Sequence, residues 1–376
     1  GTQMTGIFCS GGTPTITGNT VANINNAYSA AVAAGQTRGI IQSAGAVNIT
    51  GNTVRDLTNA STIIGTGSAS AIVGLSITSI TTGAIVSNNT IHSLSLTGIS
   101  TTAAVSLTGL FISGIASGSN FYTKNFIHSF NVTAANSNAL ITGIDIGGGL
   151  STFANNMIRL GVLADGTSLT TALVIRGITK GTTTTNNFYH NNIFIGGTGV
   201  GATVKNTFAF GRSSSAVFLP NDDIRDNIFV NNRSNAAAGG THYALSLTSG
   251  LTFLTLDYNI YQSTGTGGVF ALNTAADVNP YTSGWAAGDL NSSDSDPRYF
   301  VPNGTSATVN LHIDPSLATY VEGNGIPIAA VTDDFDSQSR AGLTPIDIGA
   351  DAGNFITSIV TCTAPNGLLV TSVFDV

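Results

Sequence analysis

Four basic side chains recur at one repeating position of this sequence. Arg55, His92, His128 and Arg159 each stand three residues after a recurring asparagine. If the repeats stack as coils about 4.8 Å apart, the four side chains form a stripe about 15 Å long. Such a stripe could hold an acidic glycan through charge-assisted hydrogen bonds. No carboxylate recurs at the same position, so nothing is predicted to tune these groups for acid–base catalysis. The simpler interpretation, a solvated polar face without a ligand, remains open.

Two acidic groups could supply oxygen ligands to Ca²⁺, although neither has the spacing of an EF-hand loop. The first group also contains an arginine, which favours a turn with local capping. The sequence has no G-x-S-x-G, H-E-x-x-H or phosphate-loop motif. We therefore predict no catalytic residue, no metal site and no cofactor, and leave Ca²⁺ open at these two groups alone: Asp222, Asp223 and Asp226, and Asp333, Asp334 and Asp336.

The composition limits the elements that can position these side chains. Charged residues make up 8% of the 376-residue chain, far below the roughly 25% of ordinary domains, and glycine occurs 45 times. This composition is typical of strands and tight corners rather than helices. Twelve basic residues and a net charge of −7 exclude a nucleic-acid surface and a polybasic membrane patch. No apolar run has the length that a membrane span needs, and no signal peptide is recognised at Gly1, which suggests a processed or excised segment.

An asparagine followed two positions later by an apolar residue marks a repeat of roughly 34 residues. A second marker, glycine followed by isoleucine or leucine, keeps the same period from Gly39 to Gly177. Because the asparagine and the apolar residue have the same parity on a strand, both are predicted to face inward. Stacked asparagine amides can hydrogen bond from coil to coil, so we predict a structural ladder. The ladder residues are Asn19, Asn52, Asn89, Asn125, Asn156, Asn192, Asn227 and Asn259.

The segments between these markers alternate with a period near two, as in Gly109–Ser113 and Asn88–Leu96. Helical repeats of similar length would instead place apolar residues at i, i+3, i+4 and i+7. Short strands joined by glycine-rich corners are typical of solenoid coils. The sequence therefore predicts an all-β fold, a right-handed parallel β-helix (β-solenoid) of about eight coils with a loop-rich C-terminal closing region.

The C-terminal part carries a resemblance to a known family. Its motifs are an Asp-Pro-x-Tyr turn at Asp296–Tyr299, a Leu-His-Ile segment at Leu311–Ile313, and the pair Asp334–Arg340 and Asp347–Asp351. Together they resemble the closing region of secreted bacterial β-helix proteins of the pectate-lyase-like superfamily, in particular large surface proteins of Bacteroidota. With the coils, the resemblance covers residues 15–353. It implies the architecture and an extracellular location, with type IX secretion as the common export route of such proteins.

We divide the chain into an N-terminal cap or linker at 1–15, coils at 16–262, a closing region at 263–355, and a linker with a following strand at 356–376. The last segment, Cys362–Val373, resembles the first strand of a fibronectin type III-like domain. We expect residues 1–15 to cover the first coil and the region after 262 to cover the last. Because eight coils separate the ends, Cys9 and Cys362 are not expected to form a disulfide.

These observations favour a non-catalytic structural or adhesive module of a large secreted cell-surface protein. Its predicted partners are other domains of the same longer chain, with glycans or surface proteins bound along an outer face of the β-helix. Nucleic acid and direct membrane insertion are excluded. The alternative is a polysaccharide lyase or glycoside hydrolase acting on an acidic polysaccharide, which would need acidic groups and a Lys or Arg brought together by neighbouring coils.

Overall fold

The computed structural model describes residues 3–30, 35–114, 117–217, 220–343 and 345–357. Three long sheets and one short sheet run along the molecule, and each of the first eight coils contributes one strand to each long sheet. Sheet 1 contains, in spatial order, β1 (Met4–Cys9), β5 (Thr37–Gln42), β9 (Ile72–Ile77), β13 (Ser106–Ser113), β17 (Leu140–Gly148), β20 (Val174–Lys180), β23 (Thr207–Arg212), β26 (His242–Leu247), β29 (Gly268–Asn273) and β30 (Ala276–Val278).

The other sheets follow the same order along the axis. Sheet 2 contains β2 (Thr15–Thr17), β6 (Asn48–Thr50), β10 (Ile85–Ser87), β14 (Asn120–Thr123), β18 (Ser151–Ala154), β21 (Asn186–Tyr189), β24 (Asp222–Arg225) and β27 (Leu254–Asp257). Sheet 3 contains β3 (Thr20–Ala22), β7 (Thr53–Arg55), β11 (Thr90–His92), β15 (Phe126–His128), β19 (Met157–Leu160), β22 (Asn192–Ile195), β25 (Ile228–Asn231) and β28 (Ile260–Gln262). Sheet 4 contains β4 (Asn25–Asn26), β8 (Thr58–Asn59), β12 (Ser95–Leu96) and β16 (Asn131–Val132).

The predicted parallel β-helix is confirmed, with about ten turns instead of eight. Within these four sheets the neighbouring strands pair in parallel from β1 to β29, and β30 pairs antiparallel with β29. The N-terminal residues differ from the prediction of a cap. Because β1 pairs with β5 and β2 pairs with β6, residues 4–17 already belong to the first coil. Phe8 on β1 is 62% exposed at this edge.

The core is filled by inward columns from the three long sheets. Tyr122, Phe153 and Phe188 stack along the axis with ring centroids 5.1 and 5.2 Å apart. The glycine marker occupies the middle of the sheet 1 strands, which there contact side chains of sheet 3. A Cβ on Gly74 would lie 2.5 Å from Cγ2 of Ile91 and 2.6 Å from the next glycine's carbonyl oxygen. Only glycine therefore fits there without a shift of the backbone.

The region after residue 262 has two parts, one that packs on the last coil and one that runs along the outside of the coils. Its first part covers the last coil as predicted, because β30 folds back on β29 and Tyr281 and Trp285 pack against Phe270. The rest, residues 294–343 and 345–357, runs back along the outside of the coils, and we call it the strap. The strap contains β31 (Tyr299–Val301), β32 (Asn310–Ile313), β33 (Ala318–Thr319) and β34 (Ile356–Thr357).

Helix is almost absent from the described part of the chain. It includes two short 3-10 turns, Gly67–Ala69 and Arg340–Gly342. No helix in the described ranges is long and apolar enough to cross a membrane. Cys9 is a free thiol. Cys362, with which no disulfide was expected, lies outside the described residues, and so does the predicted fibronectin-type strand.

Candidate functional site: the outer face beneath the strap

The asparagine ladder runs through the corner between sheets 2 and 3. Each ladder Nδ2 donates to the Oδ1 of the next ladder residue at 2.8–3.1 Å. The backbone N–H of each residue donates to the same oxygen. The predicted Asn192 is wrong, because the sixth ladder residue is Asn191. The structure places the other seven predicted residues in the ladder: Asn19, Asn52, Asn89, Asn125, Asn156, Asn227 and Asn259.

Asn192 instead points away from the core and holds the strap. Its Nδ2 donates to the Leu311 carbonyl at 3.0 Å, and its Oδ1 accepts from the Ala350 N–H at 2.9 Å. The same shift of one residue moves Phe194 out of the predicted inward column, where Ile193 stands in its place. Phe194 packs edge to face with Tyr299 of the strap, with centroids 6.1 Å apart.

The residue before each ladder asparagine forms a second column, which we call the corner column. All eight of its residues have a left-handed backbone, with φ between 52° and 66°. This conformation costs roughly 1 kcal/mol or more outside glycine, and it turns the side chain out of the coil. The members are Gly18, Gly51, Asn88, Lys124, Asn155, His190, Asp226 and Tyr258.

Three members of the corner column bind the strap. Lys124 pairs with Asp333 at 2.5 Å, and Asn155 Oδ1 accepts from Arg340 Nη2 at 2.9 Å. Asp226 Oδ1 accepts from the Ile326 N–H at 2.9 Å. The strap is therefore fixed by polar contacts spread over several successive coils, not by the last coil alone.

The strap divides the predicted basic stripe. Arg55 pairs with Asp56 and keeps 39% of its side chain exposed, and His92 is half-buried. His128 and Arg159 also point out of the coil, as parity predicts, but they are 2% and 0% exposed because later residues cover them. Arg159 donates to the carbonyls of Val162 and of Gly304 in the strap.

The covered half of the stripe is also unsuited to a charged ligand. Desolvation by burial, reinforced by the nearby His92 and Arg159, holds the pKa of His128 well below its usual range. Its ring stacks on that of His92, with centroids 4.9 Å apart and planes 2° apart. Burial also lowers the pKa of Arg159 to about 10. The structure therefore brings the four residues into one column, but only Arg55 and His92 are accessible.

The two acidic groups proposed for Ca²⁺ are each divided among different partners. In the first, Asp222 lies between Lys180 and Arg212, Asp223 pairs with Arg225, and Asp226 faces the strap. In the second, the side chains of Asp333 and Asp336 pair with different residues, Lys124 and His312. Asp334 accepts the backbone N–H groups of Gln338 and Ala352. Neither group forms a shared oxygen cage.

A different set of side chains could hold a metal. His312, Asp336 and Asp351 each offer a ligand atom, and these atoms lie within 4.8 Å of one another. His312 lies on β32, and the two aspartates come from the closing motifs that carried the family resemblance. The spacing of these three residues gives no metal-binding motif, so the sequence could not have identified the group without its fold.

A cavity of about 530 Å³ lies between the coils and the strap. His190 and Arg340 line it together with apolar residues such as Ile328, Val331 and Ile346. Both ring nitrogens of His190 and Nη1 of Arg340 are buried without a hydrogen-bond partner. Desolvation by burial, aided by Arg340, lowers the pKa of His190 well below its usual range, so the ring is neutral near pH 7.

The corner column was the main omission of the sequence analysis. Its signal is present, because every member directly precedes a ladder asparagine. The strap gave no such signal, since its contacts join residues that are far apart in the chain.

No family model, no curated protein and no solved structure matches this chain.

Proposed function

We propose that this chain is a non-catalytic structural or adhesive module of a larger secreted cell-surface protein, of the Bacteroidota type and exported by the type IX route. The observation that carries the proposal is the use of its basic side chains. All twelve lie in the described part of the chain, and seven are buried. The seven are Arg38, Lys124, Arg159, Lys180, Arg212, Arg233 and Arg340.

These buried cations act as internal braces. Arg233 donates to the carbonyls of Leu169 and Thr171 at 2.9 Å, and Arg212 donates to those of Gly250 and Thr252 at 3.0 and 2.8 Å. Each therefore ties a loop of one coil to another coil and satisfies carbonyls that would otherwise be buried without partners. Side chains used in this way support a rigid scaffold, since they are not available to a substrate.

The adhesive part of the proposal concerns the uncovered coils. Arg55 and His92 stand on successive coils and pair through β7 and β11. Both are partly exposed, so an acidic glycan could hydrogen bond to them from solvent. The buried His128 and Arg159 cannot take this role, and Arg159 instead donates to the Gly304 carbonyl of the strap.

The alternative of a polysaccharide lyase or hydrolase has less support. Lys180, Arg212 and Asp222 do meet, as a lyase site requires, with the Asp222 carboxylate 3.2 Å from Lys180 Nζ and 2.8 Å from Arg212 Nε. However, none of these three side chains has any exposed surface. A polysaccharide chain cannot reach them without opening the coils.

The test is an assay of binding and turnover on the same purified chain. We expect retention of acidic polysaccharides on a glycan array without release of unsaturated uronates or new reducing ends, with or without Ca²⁺. Replacement of Arg55 and His92 by alanine should reduce retention, whereas Arg298→Ala, an exposed arginine on the strap, should not. Product release that scales with protein concentration would refute the non-catalytic role. Absence of retention would restrict the role to that of a spacer.

A further inference from the structure

The cluster of His312, Asp336 and Asp351 is built into the strap from three separate segments. His312 Nε2 lies 2.8 Å from Asp336 Oδ2, and all three ligand atoms fall within 4.8 Å of one another. The His312 and Asp336 side chains are 29% and 48% exposed, so an ion has access from solvent. Asp351 forms the buried floor at 7% exposure.

The orientation of the histidine is fixed from outside the cluster. Asn310 Oδ1 accepts the His312 backbone N–H at 2.8 Å, which identifies that atom as the amide oxygen. The same oxygen lies 2.5 Å from His312 Nδ1, so Nδ1 must carry a proton. Nε2 therefore faces the carboxylates as a lone pair or with a second proton. A histidine held through its other nitrogen in this way is typical of metal sites.

Asp351 is the second observation that points to a cation. The Ile313 N–H donates to its Oδ2 at 2.7 Å, and its other oxygen has no hydrogen-bond partner among the described residues. No lysine or arginine in the described ranges forms an ion pair with it. The charge of this carboxylate, more than nine-tenths buried, is therefore opposed only by the neighbouring His312 and by Arg340 beyond ion-pair distance, and a second carboxylate stands beside it.

We propose that His312, Asp336 and Asp351 form a binding site for one divalent cation of the Zn²⁺ class. One imidazole nitrogen and two carboxylate oxygens suit Zn²⁺ or Mn²⁺, whereas Ca²⁺ and Mg²⁺ prefer ligands that are all oxygen. The ion replaces the Nε2 proton and neutralises the facing carboxylates, and water completes its coordination. This inference goes beyond the structural role proposed above and does not depend on it.

The site would also explain why the closing motifs converge. Asp336 belongs to the turn that binds Lys124 through Asp333, and Asp351 follows the segment that binds Asn192 through Ala350. A cation shared by both segments and β32 would therefore lock the strap onto the coils. We expect metal binding to raise the unfolding temperature, because a ligand that binds only the folded state stabilises it.

The test is isothermal titration of the whole chain with ZnCl₂, MnCl₂, CaCl₂ and MgCl₂ after treatment with EDTA and dialysis. We expect one Zn²⁺ or Mn²⁺ per chain, bound at least about tenfold more tightly than Ca²⁺ or Mg²⁺. His312→Ala and Asp336→Asn should each weaken binding by about tenfold to a hundredfold, and Asn310→Ala by about tenfold. Asp314→Asn, at a partly exposed aspartate near the site, is the matched control and should bind like the wild type.

Circular dichroism of the metal-free variants separates loss of binding from loss of fold. Asp336→Asn is the safest variant in this respect, because its side chain is half-exposed. Wild-type affinity in both His312→Ala and Asp336→Asn would overturn the site, as would a preference for Ca²⁺ over Zn²⁺. Absence of any Zn²⁺ or Mn²⁺ binding would overturn it too, while leaving the structural role intact.

Discussion

Replacement of one ladder asparagine tests how the coils are held together. Asn125→Ala removes four hydrogen bonds of the side chain: two that it donates, to Val86 and Asn156, and two that it accepts from Asn89. The backbone N–H of Asn89 then remains buried without a partner, which costs about 1–3 kcal/mol. The other three lost bonds add about 1 kcal/mol each, less the gain from not burying an amide. We expect a total loss of about 3–5 kcal/mol.

The matched control is Asn19→Ala, at the exposed end of the same ladder. Asn19 donates to Asn52 and to the Thr17 carbonyl, but its Oδ1 accepts no hydrogen bond among the described residues. Because no buried group is left without a partner, its loss should stay below about 1 kcal/mol. Urea unfolding followed by far-ultraviolet circular dichroism measures both values. Equal losses in the two variants, or a loss below about 1 kcal/mol for Asn125→Ala, would refute the ladder as a source of stability.

Three further predictions concern register, packing and pH. Asn191→Ala should lower the urea midpoint more than Asn192→Ala, because the Asn191 side chain makes the ladder bonds whereas that of Asn192 makes only two bonds to the strap; a reversed order would contradict the assignment. Gly109→Ala should cost about 1–3 kcal/mol, since its Cβ would lie 2.7 Å from a carbonyl oxygen, whereas Gly11→Ala, with open space around it, should be neutral in the same assay. Burial raises the pKa of Asp226 to about 8, so the folded state keeps a proton that the unfolded chain has lost. The same carboxyl titrates near 3.8 when unfolded, so the urea midpoint should fall as the pH rises from about 4 to about 8 and level off above that; Asp226→Asn should reduce this slope, and an unchanged slope would show that other groups cause it.

The fold could be predicted from the sequence because close packing leaves few choices at two positions. The ladder asparagine has to satisfy backbone groups of the preceding coil, and the glycine has to admit a neighbouring backbone. Both requirements recur once per coil, so both residues recur in the sequence. Asn52 and Gly74 are examples: another residue at 52 would leave the Asn19 N–H and the Ile16 carbonyl without this partner, and another residue at 74 would clash with its neighbours.

The candidate site could be predicted only in part, for two physical reasons. First, Asn191 and Asn192 are adjacent, and either satisfies the repeat pattern; the register is decided by strand pairing, which the local pattern does not contain. Second, parity gives the direction of a side chain but not its exposure. Arg159 points out of its coil as predicted and is nevertheless 0% exposed, because residues such as Gly304 return over it.

The strap has a mechanical consequence. In a plain solenoid, tension at the last coil peels the coils apart one at a time, because each coil contacts only its neighbours. Here the chain leaves the last coil and is anchored again at Asp226, Asn192, Asn155 and Lys124. A pull on residue 357 would therefore load several coils in shear at once. Under this geometry we expect the molecule to yield in a single large step at high force, with little stepwise unravelling from its C-terminal end.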